Sequence, residues 1–555
     1  MKRQNNDAQT MPRWLSRHST RFVIERSLVQ IQPGAFLGDM KMEIERYYES
    51  ISSGKQENPL AKHTGPIATN LKEAVDIAMQ SYSEIDIDNH TLENRIKIAK
   101  ISEQFHKKAD TLTPKVKHSL ELLANKDVVV IESAHQPSLF PYSGTMIKPV
   151  LAHAIAESLR KQGLSVVEIF GLLDTDDIKT GWHRRTHLPD MNSKDGILVI
   201  RKNVESKKLI FNAVAAPDLK EITEWKDTLV NWVKQNKKAI NRIAGEEVIK
   251  GAKEKFFFEQ IKEIFNLWRN IQAQADSYGS FNSLFFTHVI NNYWDYPTLF
   301  IPYSSCISVF EKEISVLIEK GEEYAESHNR HRTSIKRHIN INFTKVAQNH
   351  VPFWYICNCG VKVRLFKEKE SLEGYCENCG AKIVLNIKEI KSYSRRLSPY
   401  AISRHLIFFE GLKPSMYVSG WGAMPFTLVA KGIADDLNLH FPPIIPFRIR
   451  EKYDGIGQLR PLLELKRRVL SPLEIENEIG RLEIMSKKLR EEGRHEEYKK
   501  AKEEIRDLKA IKNALDCYPS ILDYWINFGI RKTRDNWEEF IKTHNFWDQI
   551  TISCS

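Results

Sequence analysis

Long apolar runs are missing from this chain. Across 555 residues no stretch approaches the roughly 18 consecutive apolar residues that a membrane span needs, so a membrane partner is not expected. The opening Met1-Lys-Arg-Gln-Asn-Asn6 carries no apolar segment of the kind a secretory signal has, which points to a cytoplasmic protein. Cysteine is scarce: seven residues, four of them clustered, are too few and too uneven for a disulfide framework and fit a reducing compartment. Internal repeats and low-complexity tracts are also absent. What is present is the composition of a soluble globular protein, 42% hydrophobic and 28% charged, with chain enough for more than one compact unit. The net charge of +11 permits polyanion binding without requiring it, because a lysine-rich solvated surface gives the same balance.

The most ordered pattern runs from Val128 to Asp177. Val128-Val-Val-Ile131 is a β-branched run of the kind buried on both faces in a parallel sheet. The loop His135-Gln-Pro-Ser-Leu-Phe-Pro-Tyr-Ser-Gly144 follows it. A helix is then expected, with Ile147, Val150, Leu151, Ala154, Ile155 and Leu159 on one face, Thr145 capping it, Pro149 in its first turn and Gly163 ending it. A second apolar run, Val166 to Leu173, stops on Asp174-Thr-Asp-Asp177. This is the grammar of a strand–helix–strand unit, and ligands of such sheets sit outside the carboxyl ends of the strands. The His135 loop and the acidic cluster both fall at that edge.

Helices are expected over Ile67 to Ile77 and Leu92 to Leu123, the second broken by Pro114. Downstream, Gly196–Ile200 and Lys208–Phe211 read as strands, followed by helices around Trp225, Trp232 and Ile240, over Phe256–Trp268 and over Leu284–Ile290. Thr298-Leu-Phe-Ile-Pro302 returns to strand. His183 and His187 in Trp182-His-Arg-Arg-Thr-His187 have the spacing of a metal pair but read better as a solvated polar turn.

The most specific motif comes next. Cys357-Asn-Cys359-Gly and Cys376-Glu-Asn-Cys379-Gly are two thiolate knuckles separated by sixteen residues. Each is followed by a glycine whose turn lets backbone amides approach sulfur, and four thiolates close a tetrahedral structural Zn²⁺ site. The first knuckle is one residue shorter than the usual form. Beyond it lie Leu397–His405, the strand Met416-Tyr-Val-Ser-Gly420 with the Gly422 turn, an apolar helix, and Phe441–Arg448. A strand ending on Gly-x-Gly suits close approach of backbone to a ligand, or simply a tight strand-to-helix turn.

From Pro472 to Leu515 two seams appear, Ile475, Ile479, Leu482, Met485 and Leu489, then Tyr498, Ala501, Ile505, Leu508 and Leu515, with Gly493 between them. An antiparallel helical hairpin or coiled-coil arm is expected, and with it a homodimer. Ile484-Met-Ser-Lys-Lys488 is similar to the lysine signature loop of class I aminoacyl-tRNA synthetases, but inside an amphipathic helix the likeness is chance.

Taken in order, these pieces resemble the cysteine-adding enzymes of bacillithiol biosynthesis, the BshC family. The resemblance rests on Ala134-His-Gln136 and Leu139-Phe140, on Asp174-Thr-Asp-Asp177, and on Ser398, Pro399 and Arg404. It continues through Tyr417-Val-Ser-Gly420 with Gly422, and Pro442, Pro443, Pro446 and Arg448, covering about residues 95 to 520. It implies an α/β, Rossmann-like core related to class I synthetases, with helical additions and a dimerising coiled coil. The implied activity is joining an amino acid, cysteine in the type members, to a small acceptor of sugar- or hydroxy-acid type, with ATP or another nucleotide as an optional cofactor. The chain departs from the family pattern at Ala134, His135 and Ala423, and the zinc ribbon is an addition. His-Gln-Pro-x-x-x-Pro-x-x-Gly is also similar to the opening of the WbqC-like family, where it lies near the chain start.

The expected division is a helical region (1–125), a core in two parts (126–340 and 396–460), a ribbon insertion (341–395), an arm (461–520) and a C-terminal segment (521–555). A ligation site must hold an ammonium, polarise a carbonyl or phosphate and move a proton. His135, Asp174 and Asp176 are the expected catalytic residues, with His135 as acid/base near a helix start. Gln136, Ser143, Gly144, Asp177, Arg404, Gly420, Gly422 and Arg448 are expected to bind substrate or nucleotide, the two arginines by bidentate contact with carboxylate or phosphate. The metal ligands are Cys357, Cys359, Cys376 and Cys379. A tRNA-linked protein, a glycan-pathway protein and a non-catalytic scaffold are the competing expectations.

Overall fold

The computed structural model describes residues 61–64 and 67–553, except 205, 207, 340, 342 and 449. Most of the first half of the expected 1–125 region therefore lies outside the described residues. In chain order the elements that frame the site are β1 (Val129–His135), α1 (Ser143–Arg160), β2 (Val166–Leu172), the pair β3 (Arg185–Pro189) and β4 (Ile197–Arg201), and β5 (Leu299–Pro302). Then come β6 (His350–Ile356), β7 (Lys362–Glu368), β8 (Ser371–Tyr375), β9 (Lys382–Asn386) and β10 (Leu397–Pro399). The chain continues through α2 (Ala401–Leu412), β11 (Met416–Gly420), α3 (Met424–Leu437), β12 (Ile444–Phe447), β13 (Arg450–Asp454), α4 (Ile475–Glu491), α5 (His495–Asp516) and β14 (Gln549–Ser553).

The centre is a five-stranded sheet in the order β12-β11-β1-β2-β5, parallel throughout. Its strands follow one direction from β1 to β5 and then restart on the other side of β1 with β11. The order therefore reverses between β1 and β11, where ligands of open parallel sheets bind. Alternation along β1 explains why the strand needs apolar residues in both phases. Val129 and Ile131 enter a core with α1 on one face, while Val128, Val130 and Ala134 enter a second core on the other.

A second sheet, β10-β6-β7-β8-β9, is antiparallel and carries the cysteine knuckles at its turns. Its Val361 forms a bridge with Leu209, and Ile210 in turn bridges Asp177. α4 and α5 lie antiparallel, tied by Glu483–Lys509 at 2.7 Å and Glu476–Lys512 at 3.1 Å, around the buried seam Ile475, Ile479, Leu482, Ile505, Leu508 and Leu515. Leu462 and Leu465 of the helix Ile456–Arg467 join that seam. No helix among the described residues is long and apolar enough to cross a membrane.

Several local expectations are corrected. α1 begins at Ser143 without a side-chain cap, so Thr145 lies inside it and Pro149 is interior; the helix ends at Arg160, before Gly163. Lys208–Phe211 is not a strand, because Leu209 and Ile210 each pair with a single residue before a 3₁₀ turn. His187, read as part of a turn, lies on β3, paired with Val199. Met485 turns outward at 37% exposed, and Ser486 is buried in its stead.

Candidate functional site

A cavity of about 470 Å³ opens at the carboxyl ends of β1 and β11. Seven of the expected residues line it: His135, Gln136, Gly144, Arg404, Gly420, Gly422 and Arg448. His135 ends β1, Gln136 follows in the loop and Gly144 lies in the first turn of α1. α2 supplies Arg404, Gly420 ends β11 with Gly422 in the turn after it, and Arg448 follows the end of β12. The space in front of Gly422 is open, since a Cβ there would meet nothing within 4 Å. At Gly144 an added Cβ would fall 2.7 Å from the Tyr142 ring, so the residue is small because the loop folds back on the helix start. Arg448 is buried, and its guanidinium lies 5.3 Å from the centre of the Trp421 ring.

His135 does not have the environment of a general base. Its Nδ1 lies 2.9 Å from the Gln136 carbonyl and its Nε2 3.2 Å from the Thr145 hydroxyl. Burial, with the Lys148 ammonium nearby, pushes its pKa down to about 3, so the ring is neutral at physiological pH and acts through hydrogen bonds.

The three aspartates separate sharply. Asp174 is sealed in: its carboxylate accepts from the Ser304 amide at 2.9 Å, from Asn212 Nδ2 at 2.7 Å and from the Ser304 hydroxyl. Burial raises its pKa, and it does not reach the cavity. Its work is to pin the end of β2 to the turn after β5. Asp176 stands behind the cavity wall, accepting from Gln136 Nε2 at 2.8 Å and pairing with Lys362 at 2.9 Å and Arg404 at 3.3 Å. Burial works to raise its carboxyl, but Lys362 and Arg404 overcome that and hold it well below the ordinary carboxylate range. Asp176 therefore positions Arg404 and Gln136 and joins them to the cysteine-bearing sheet through Lys362. Asp177 faces the other way, into an open groove along β7–β9. Ser143 is also outside the cavity, donating to the buried carboxylate of Glu451.

Sequence reasoning missed Lys148, Glu132 and His405, all lining the cavity. The Lys148 ammonium donates to the Ala134 carbonyl at 2.8 Å, and burial, helped by Arg404, brings its pKa down to about 7. Glu132 lies within β1, its carboxyl raised to about 8 by burial. Burial and the Arg404 charge lower His405 to about 3. A signal existed for the first two. An ionisable residue in the middle of a strand read as buried, or flanked by Ile147 and Pro149 on an apolar helix face, needs a reason to be there.

The four cysteines meet. All their sulfurs lie within 4.8 Å of one another, with Cys357–Cys379 and Cys359–Cys376 each at 3.5 Å. Four sulfurs at about 2.3 Å from a tetrahedral ion stand about 3.8 Å apart, so the cage is metal-sized. Gly360 and Gly380, at φ 78° and 73°, let each knuckle close with an amide returning to the first cysteine's carbonyl, at 2.9 Å and 2.8 Å. The adjoining groove is lined by acids and bases in equal number, so it presents no basic stripe.

No family model matches the chain, and no curated protein matches it either.

Proposed function

We propose that the protein is a small-molecule ligase of cysteine-adding type, joining an amino acid to a sugar- or hydroxy-acid-type acceptor in the cavity between β1 and β11. One observation carries the reading: a cavity with largely aromatic and aliphatic walls lies at the strand-order reversal of the parallel sheet, with Lys148, Arg404 and Arg448 among the residues lining it. Arg404 and Arg448 supply the planar donors that carboxylates and phosphates take. Lys148, near neutrality at physiological pH, can accept the proton released as an amine attacks an acyl carbon. Direct condensation of a carboxylate with an amine is uphill in water, so the reading includes a donor activated by ATP or another nucleotide.

Zn²⁺ belongs to the same reading as a structural ion, since four thiolates fill its coordination and leave no position for substrate. The α4–α5 pair is read as a coiled-coil arm that dimerises, Ile484 being left 76% exposed beside Met485. The reading places the protein in the cytoplasm.

The test is a thermal-shift panel on zinc-loaded protein with amino acids, hydroxy acids, amino sugars, nucleotides and tRNA, each alone. A ligand at a hundredfold excess over Kd stabilises by about 2.7 kcal/mol. A shift with an amino acid or nucleotide that disappears in Arg404→Ala supports the reading. A shift with tRNA alone, erased by salt, replaces it with an RNA-linked role.

A further inference from the structure

Glu132 is the one carboxyl among the residues lining the cavity; every other charged lining group is cationic or a histidine. It is placed by the central strand, in register with Tyr417 of β11 on one side and Ile169 of β2 on the other, and it is 1% exposed. Its Oε1 lies 3.5 Å from the Tyr303 hydroxyl, whereas Oε2 is buried without a partner. A buried carboxyl oxygen left unsatisfied is costly, and in a binding cavity it marks where a ligand donor fits.

The surroundings narrow the donor. Tyr303 stacks on Phe408 at 3.9 Å, and Tyr417 meets His405 and Phe409 edge-on at 5.4 and 5.0 Å. Aromatic walls around one acid suit a small cation, while Arg404 and Arg448 suit an anion. Resting on the reading of this cavity as an amino-acid site, we propose that Glu132 determines specificity for an amphoteric substrate. Glu132 gives up its proton to solvent as the ligand enters, and its Oε2 then accepts a hydrogen bond from the ammonium of an α-amino acid whose carboxylate faces the arginines. A carboxylic acid lacking the amine leaves Oε2 unpaired and binds more weakly.

Calorimetric titration of the full, zinc-loaded chain tests this with two matched pairs of probes, L-cysteine against 3-mercaptopropionate and L-serine against 3-hydroxypropionate. The native protein should prefer one amino acid over its deaminated partner by about tenfold or more, the worth of one charge-assisted hydrogen bond. Glu132→Gln, of the same shape, should remove that preference while binding the deaminated acid as before, which also reports that the cavity has kept its form. If the preference survives in Glu132→Gln while Arg404→Ala abolishes amino-acid binding, the amino-acid site stands and the role of Glu132 falls. If Glu132→Gln weakens both members of a pair equally, the role also falls. If neither member of either pair binds the native protein, the ligase reading and this inference fall together.

Discussion

The cysteine cage and the switch-point cavity are built on opposite principles. All four cage ligands come from two turns of one local sheet, so proximity in sequence nearly guarantees proximity in space. The cavity draws on residues from Glu132 to Tyr518, and it is incomplete until β1 and β11, far apart in the chain, are paired. A local site is held by its own ligand; a distributed site is held by the fold around it. Substitutions should separate the two.

Removing the proposed metal should have the largest effect. A structural zinc is worth about 10 kcal/mol or more to the unit that it closes, so Cys376→Ser should abolish bound zinc and open β6–β9 to proteolysis. The parallel sheet should keep its far-ultraviolet signal. Next in size, Asp174→Ala strands the Ser304 amide and Asn212 in a half-buried setting. It should lower stability by about 3 kcal/mol in denaturant titration. Arg404→Ala should cost less stability, because Asp176 keeps Lys362 and Gln136, but it should cut affinity for a carboxylate ligand about a hundredfold or more, enough to erase the thermal shift.

A pH titration sharpens the contrast inside the cavity. The Glu132 carboxyl is raised from an ordinary 4.5 to about 8, so between these values the folded chain binds more protons than the unfolded one. Its contribution to stability therefore falls as pH climbs through that window, by about 1.4 kcal/mol for each pH unit crossed, and Glu132→Gln should flatten the curve there. Lys148, lowered to about 7, acts in the other direction above that value, and Lys148→Met should remove a rise in stability between pH 7 and 10.5. The smallest effect is expected at Ile484→Lys, which should change stability by no more than about 0.5 kcal/mol and instead reduce any self-association seen in sedimentation.

What could be read from the chain depended on range. The strand runs Val128–Ile131 and Val166–Leu173, the intervening helix face and the β11 run at Met416–Gly420 were legible because each is local and periodic. The seams of the α4–α5 pair were legible too, apart from the outward Met485 and the half-buried Tyr498; the helix Ile456–Arg467 also contributes to that core and shifts which face is covered. Pairing was not legible. Nothing in Asp174-Thr-Asp-Asp177 says that the first aspartate will be closed off by Ser304, the second clamped by Lys362 and Arg404, and the third turned to a groove. The chain turns beyond the end of β2 at Leu172, so its backbone no longer holds a strand's regular alternation and the three acids reach three environments. Lys148 and Glu132 escaped notice because charge was sought in clusters, whereas here it is isolated in apolar elements.

The pairing of Ile131 with Met416 has a further consequence, for the order in which the protein forms. β1 and β2 are joined by a single helix and can pair as soon as both have left the ribosome. The opposite edge of β1 has no neighbour until β11 is made, across most of the chain. An unpaired inner strand rich in valine is an aggregation hazard during that interval, and long-range parallel pairing is intrinsically slow. The seam between β1 and β11 is thus filled late in synthesis, with only the edge strand β12 still to add. Loosening β11 would dismantle the cavity while β1, β2 and β5 remained paired, so the site would be lost from a protein that still looks folded.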